Sequence, residues 1–182
     1  LVDAGAEFAG YASDVTRCYP IGGCFEGAPR AVYEIVLAAQ QAALAAIRPG
    51  TTLPEIHQRA LRVLVDGMRE LRLLEGSCES LIESEAYKRY YMHGTSHWLG
   101  LDVHDAGLYV RTGEPRRLEP GMVFTVEPGL YIARDDEQAP EALRGIGVRI
   151  EDDVLITPGG FENLTASIPK RTTDVEALVR GH

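Results

Sequence analysis

Two segments of the chain repeat apolar residues at the spacing of an amphipathic helix. The first covers residues 29–47 and stops at Pro49-Gly50. The second opens with Thr52-Leu53-Pro54-Glu55, which is typical of a capping box in which the Thr52 side chain caps the helix and Glu55 reaches back. Its apolar stripe consists of Ile56, Ala60, Val63, Leu64, Met68 and Leu71. We interpret both stripes as faces that pack in the core.

The apolar and polar residues at the beginning of the chain have a different spacing, which predicts β-strands. Residues 1–4 and 11–20 are strand-like and are joined through Gly5 and Gly10. This pattern predicts a hairpin over residues 1–21.

From residue 90 onward the pattern again favours β-structure. Residues 123–126 and 147–156 are compact apolar runs bounded by glycine and proline. The polar stretch 133–144 between them predicts a surface loop, and residues 173–179 predict a short terminal helix. No linker or repeat divides the chain, so we expect one α+β domain over residues 1–182.

The charge balance argues against polyanionic partners. The 182 residues include 18 basic and 27 acidic side chains, for a net charge of −9. No run of lysine and arginine interrupts this excess, so nucleic acids and anionic membranes are poor partners. No segment contains the roughly 20 apolar residues that a membrane-spanning helix needs.

Cysteine usage favours a reducing compartment. Cys18, Cys24 and Cys78 are an odd number without CxxC spacing. We interpret them as free thiols in a cytoplasmic protein, with a Cys18–Cys24 bridge as the alternative. The chain opens at Leu1, directly on an apolar strand, which predicts a piece of a longer protein.

Five side chains with metal-ligating chemistry stand on or beside the predicted strands: Asp3, Asp14, His97, Glu127 and Glu151. Ionised acids among valine, isoleucine and leucine are costly to bury without compensation, and a metal ion is one compensation. Four carboxylates carry about the charge that two divalent cations cancel. Taken singly, each acid also fits a turn or an ion pair, but together they predict a two-metal hydrolytic site.

The types of donor atom favour some metal ions and some reactions over others. Four carboxylates and one imidazole form an oxygen-rich set without thiolate, which suits Mn²⁺ or Co²⁺ better than a structural Zn²⁺. Bridging carboxylates of this kind can hold two cations in a site that hydrolyses amides or phosphate esters. The chain has no phosphate-binding glycine loop, so amide cleavage is favoured. His93 and His97 have the spacing of a helical zinc pair. However, the residues between them are poor helix formers and lack the glutamate of the HExxH motif, so we reject a site of this type.

Several motifs resemble a known family when they are taken together. They are Asp3-Ala4-Gly5, residues 10–17 (GYASDVTR), 93–105 (HGTSHWLGLDVHD), 118–131 (LEPGMVFTVEPGLY) and 147–153 (GVRIEDD). In this order they resemble the pita-bread metallopeptidases, and residues 96–105 look most like the bacterial Xaa-Pro aminopeptidases (aminopeptidase P). The resemblance implies the pita-bread fold and removal of an N-terminal residue that precedes proline.

The resemblance also implies roles for individual residues. It implies Asp14 and Glu151 as bridging ligands, Asp3 on one of two divalent ions, and His97 with Glu127 on the other. The ions are expected to be Mn²⁺, with Co²⁺ or Zn²⁺ as alternatives. It further implies substrate contacts and outer contacts in the site at His93, His104, Arg111, Tyr131 and Arg149.

Members of this family carry an N-terminal domain and a first half of the pita-bread fold before the strand that starts here. We therefore expect residues 1–182 to be the C-terminal part of a catalytic domain. Such a piece would lack a histidine that the first half supplies to the proline pocket, and it would expose strand edges and apolar surface that favour self-association into a homo-oligomer.

Three alternatives remain open at this point. A prolidase that cleaves Xaa-Pro dipeptides would use the same ligands, although Ser96 and Trp98 argue against it. Methionine aminopeptidase fits residues 93–105 less well. A non-catalytic metal-binding scaffold is a third description of the piece.

Overall fold

The computed structural model describes residues 1–181 and contains four α-helices in this part of the chain. They are α1 (Gly27–Ala45), α2 (Leu53–Glu70), α3 (Cys78–Glu83) and α4 (Thr172–Arg180). The first begins two residues before the predicted start, and the last confirms the predicted terminal helix. The sequence pattern did not indicate α3. None of the helices in residues 1–181 has the length and apolar character needed to cross a membrane.

Helices α1 and α2 pack against each other and form one side of the core. The capping box of α2 is confirmed, because the Thr52 hydroxyl accepts from the Glu55 amide at 3.4 Å and Glu55 accepts from the Thr52 amide at 2.8 Å. The helices approach closely at Gly67, where an added Cβ would lie 2.4 Å from Cγ2 of Ile35. The apolar stripes of the sequence therefore meet as core faces.

Eleven strands are found in the described chain, and all their pairings are antiparallel. They are β1 (Val2–Ala4), β2 (Glu7–Phe8), β3 (Tyr11–Ala12), β4 (Val15–Arg17), β5 (Val110–Arg111), β6 (Glu114–Pro115), β7 (Val123–Val126), β8 (Gly129–Tyr131), β9 (Gly147–Arg149), β10 (Asp152–Thr157) and β11 (Gly160–Asn163). Strands β1 and β4 form the predicted hairpin, with β2 and β3 as a smaller hairpin inside it.

The strands are interrupted where the predicted ligands lie. Glu127 and Pro128 separate β7 from β8, and Ile150 and Glu151 separate β9 from β10. Because β7 pairs with β10 and β8 pairs with β9, the two interruptions lie opposite each other. The Glu151 amide donates to the Thr16 carbonyl at 3.1 Å, which joins β4 to the same face.

The segment containing His97 borders the other side of this arrangement. The Thr125 amide on β7 donates to the His97 carbonyl at 3.0 Å, and the Glu127 amide donates to the Thr95 carbonyl at 2.8 Å. The order of backbone segments across the site is thus β1, β4, the β9–β10 junction, the β7–β8 junction and residues 95–97.

The prediction of a surface loop over residues 133–144 is wrong in part. A 3₁₀ turn at Glu141–Leu143 lies in this stretch, and Asp136, Ala139 and Leu143 are buried. Asp136 is held by the guanidinium of Arg89, an ion pair that residue order alone does not indicate. All three cysteines are free thiols, with Cys18 buried and Cys24 exposed.

Candidate metal centre

A cavity of about 400 Å³ opens at the strand junctions described above. All five predicted ligands line it, and the complete lining consists of Asp3, Asp14, His93, Gly94, Ser96, His97, His104, Glu127, Arg149 and Glu151. A larger cavity of about 630 Å³ lies at the α1–α2 connection, where Arg48, Arg59 and Arg117 contribute to its lining. None of the candidate metal-ligand groups found in residues 1–181 lies in that larger cavity.

Donor atoms in the 400 Å³ cavity fall into groups small enough to hold a cation. Oxygens of Asp3, Asp14 and Glu151 lie within 4.8 Å of one another, and so do atoms of His97, Glu127 and Glu151. Glu151 is shared by both groups, as a bridging ligand would be. Asp14 belongs to the first group and also to a third group with His97 and His104.

Burial of these acids is uneven. Glu151 is 1% exposed and Asp14 is 8% exposed, whereas Asp3 on the edge strand β1 is largely accessible. Asp14 is further fixed by its backbone, because its amide donates to Oδ2 of Asp153 at 3.1 Å. The two shared donors are therefore the ones most deeply enclosed.

Three of the four carboxyl groups bind protons more readily than usual: burial raises the pKa of Asp3, Glu127 and Glu151, whereas a hydrogen bond to His97 lowers the pKa of Asp14. Burial, together with the charges of Glu127 and Asp14, raises the pKa of Glu151 to about 8, although the Thr16 hydroxyl opposes this shift. Burial by itself lowers the pKa of His97, but Asp14, the Trp98 carbonyl and Glu127 outweigh it and raise the pKa to about 9. Protons offset the crowding in the absence of a cation.

The donor set fits two hard divalent cations. The candidate ligand groups contain four carboxylates and the two imidazoles of His97 and His104, and no cysteine lines the cavity. Two groups that share Glu151 match the geometry of a dinuclear site, and the carboxylate charge is what two divalent ions would neutralise. A structural zinc site would instead use four closed ligands, often cysteines.

The structure places the other predicted site residues at different depths. His93 lines the cavity and hydrogen-bonds to the Tyr131 hydroxyl at 2.8 Å, so Tyr131 stands behind it. His104 is exposed at the rim, with its ring centroid 4.4 Å from that of His97. Arg149 lines the cavity and pairs with Asp3. Arg111 lies on the exposed strand β5, outside the lining.

One contact that sequence reasoning missed is made by Thr16. Its hydroxyl donates to Glu151 at 2.5 Å and accepts from Nε of Arg149 at 3.0 Å. The sequence could have indicated this contact. Thr16 follows Asp14 by two residues, and side chains at that spacing lie on the same face of a strand. Thr95 and Asp153 were missed as well; both lie within the motifs of residues 93–105 and 147–153, but nothing in their residue type distinguishes them from core residues.

Comparison with known proteins places this geometry among metallopeptidases. The model of metallopeptidase family M24 matches residues 1–158. The Xaa-Pro aminopeptidase of Escherichia coli is 51% identical over 179 residues, which cover 98% of this chain and 40% of the relative.

Solved structures agree with the sequence comparison. A structure described as Pseudomonas aeruginosa aminopeptidase PepP has a TM-score of 0.96 and 51% identity, over 98% of this chain and 40% of the other. A structure described as zinc-substituted E. coli aminopeptidase P in complex with product has a TM-score of 0.93 and 51% identity, with the same coverage. The chain spans about 40% of the length of these relatives.

Proposed function

The chain belongs to metallopeptidase family M24 and has its pita-bread fold, and on that premise we propose a two-metal aminopeptidase that releases an N-terminal residue preceding proline. The observation that carries the proposal is the convergence of Asp3, Asp14, His97, Glu127 and Glu151 on one cavity. The activity is proposed for the whole protein, of which residues 1–182 would form part of the catalytic domain.

The proposed ligand roles follow from Glu151, which both ion groups share, and from Asp14, which is grouped with Asp3 and Glu151 and also with His97. Asp14 and Glu151 would bridge the two ions, Asp3 would complete one site, and His97 with Glu127 would complete the other. Mn²⁺ is the proposed native ion, with Co²⁺ and Zn²⁺ as alternatives, because the donors are mainly oxygens. Two such ions supply an activated water and polarise the scissile carbonyl when they are bound.

The remaining cavity residues hold and orient the peptide. His104, whose ring lies beside that of His97, would donate to the substrate carbonyl. His93 would contact the peptide, with its imidazole held by a hydrogen bond to the Tyr131 hydroxyl. Arg149 holds Asp3 and Thr16 in place. Arg111 remains a predicted substrate contact, although the β5–β6 hairpin lies outside the cavity lining.

The decisive experiment measures Mn²⁺-dependent release of the first residue from an Xaa-Pro-Xaa peptide by the full-length protein. Asp14→Ala should lower kcat/KM by more than about tenfold, because removing a bridging ligand disrupts both ion sites. A smaller loss would refute the bridging role.

Prolidase activity is the competing outcome, and faster cleavage of an Xaa-Pro dipeptide than of the tripeptide would establish it.

Cellular context is proposed from chemistry alone. Three free thiols support a reducing compartment, for which we propose the cytoplasm.

Exposed apolar side chains on the β2–β3 hairpin, Phe8 and Tyr11, support a homo-oligomer. Size-exclusion chromatography with light scattering on the full-length protein tests the second point.

A further inference from the structure

A buried threonine supports the segment that carries His97. Thr95 is 1% exposed and is not part of the cavity lining. Its hydroxyl lies 2.7 Å from the Tyr91 hydroxyl and 2.8 Å from Nδ1 of His57, a residue of helix α2. Thr95 therefore ties the segment to α2 and to its own upstream residues.

The backbone of Thr95 connects this support to a second ligand. Its carbonyl accepts from the Glu127 amide at 2.8 Å. Two residues later, the His97 carbonyl accepts from the Thr125 amide on β7 at 3.0 Å. A shift of Thr95 would consequently move both donors of one ion group, His97 and Glu127, relative to Glu151.

The hydrogen-bond chemistry of the threonine suits this position. A hydroxyl carries one hydrogen and can accept two more, so Thr95 can pair with both Tyr91 and His57 at once. Tyr91 is fully buried, and Thr95 is the hydrogen-bond partner found for its hydroxyl among residues 1–181. Loss of the Thr95 hydroxyl would leave a buried phenol without a partner, which a folded core resists by rearranging.

Contacts between rings extend the support toward the cavity. The ring of Tyr91 stacks with His57 at a centroid distance of 5.8 Å and meets the edge of His93 at 4.9 Å. Thr95 lies between His93 and His97 in the chain, and its side chain is anchored to Tyr91 and to His57 of helix α2. Arg149 pairs with Asp3 and also lies 4.0 Å from Glu127, and Thr16 bonds to the shared Glu151, so these two residues reach both ion groups. The contacts of Thr95 described above are made on the His97–Glu127 side.

We infer that Thr95, held by Tyr91 and His57, is a positioning residue for the His97–Glu127 half of the metal centre. The inference rests on the proposed two-metal site and goes beyond it by assigning separate support to one half. An ordinary buried hydroxyl would stabilise the fold as a whole without distinguishing the two ions.

The test is calorimetric titration of the metal-free, full-length protein with Mn²⁺, which should resolve two binding steps in the wild type. His97→Ala identifies the step that belongs to the His97–Glu127 half. Thr95→Val should weaken that same step by about tenfold or more, the usual effect of losing an outer contact to a ligand, and leave the other step within about threefold. Thr95→Ser keeps the hydroxyl and should match the wild type within about threefold at both steps.

Three outcomes overturn the inference. They are unchanged binding in Thr95→Val, equal weakening of both steps, and failure of Thr95→Ser to restore the affected step. Failure of the wild type to bind two ions would instead refute the proposed function, and the inference with it. Circular dichroism checks folding, and if Thr95→Val does not fold, Tyr91→Phe replaces it with the same expected step selectivity and a smaller loss.

Discussion

At the scale of single residues, the site is a set of carboxylates that tolerate one another only with added positive charge. Glu151 is nearly inaccessible, yet it lies within 4.8 Å of donors from four other ligands. Arg149 and the Thr16 hydroxyl offset part of the negative charge of the carboxylates. Protons bound at groups with raised pKa values offset more of it. Metal binding would exchange those protons for cations.

Proton release is therefore the first residue-scale prediction. At pH 7 the metal-free protein holds protons on His97, with a pKa of about 9, and on Glu151, with a pKa of about 8. Both must be lost when these groups bind metal, so Mn²⁺ affinity should rise as the pH rises from 7 to 9. Titration in two buffers of different ionisation enthalpy measures the release, which we expect to be one to two protons per protein.

The control for proton release is His97→Ala, which should release about one proton fewer. Buffer-independent heats of binding in the wild type would contradict the proposed ionisation of the site.

The second residue-scale prediction concerns Thr16. Replacing it with valine removes the hydrogen bond to Glu151 and leaves Nε of Arg149 without its partner. We expect kcat/KM of the full-length protein to fall by about 10- to 100-fold, because outer contacts orient metal ligands. Thr16→Ser is the matched control and should keep most of the activity. Wild-type rates in Thr16→Val would exclude this role.

At the scale of elements, the helices were the easiest part to predict and the strands around the site the hardest. Helix α2 is specified locally by its capping box and apolar stripe, whereas α3 has only 6 residues and too short a pattern to detect. The run 147–156 appeared as one strand but is divided at Glu151. That division depends on pairing with β7 and β8, which a local pattern cannot show.

The contact between α1 and α2 supports an element-scale prediction. In an exposed helix, Gly→Ala stabilises by about 1 kcal/mol. At Gly67 the new Cβ would lie 2.4 Å from Ile35, and overpacking of this kind costs about 1–3 kcal/mol. We therefore expect Gly67→Ala to lower the free energy of unfolding by about 1 kcal/mol, measured by urea denaturation.

The control for Gly67 is the same change made in an Ile35→Ala background. There the clash is absent, so Gly67→Ala should be neutral or stabilising. Equal losses in both backgrounds would show that the contact with Ile35 is not the cause.

At the scale of the whole molecule, a buried polar network joins distant parts of the chain behind the metal centre. Asp152 is fully buried and pairs with Arg17 and Lys170, while Gln40 of α1 donates to it at 2.7 Å. Arg17 also donates to the Glu151 carbonyl. The network thus ties α1, β4 and the segment before α4 to the backbone of a proposed bridging ligand.

This network predicts acid sensitivity of the fold. Burial alone raises the pKa of Asp152, but Lys170 and Arg17 outweigh it and lower the pKa to about 2 from 3.8. A lowered folded-state pKa stabilises the protein above pH 3.8, and this contribution of about 2 kcal/mol is lost as the pH falls toward 2. Urea denaturation between pH 5 and pH 2.5 measures the loss.

Asp152→Asn isolates the contribution of this carboxylate. The variant should be about 3–5 kcal/mol less stable at pH 5, since it leaves Arg17 buried without its charge partner. Its deficit relative to the wild type should shrink as the pH falls. A deficit that stays constant from pH 5 to pH 2.5 would contradict the assigned pKa.

The sequence by itself determined the donor types, the two amphipathic helices, the capping box and the motifs of the family, because each depends on residues close together along the chain. Tertiary structure alone decided which groups meet. Thr16 contacts Glu151 across 135 positions, and His57 reaches Thr95 across 38, so strand register and helix packing had to be known first. The physical reason is that the ability of a side chain to bind metal depends on its own chemical type, which the sequence gives directly. The side chains that hold each ligand in position come from distant parts of the chain and meet only in the folded core.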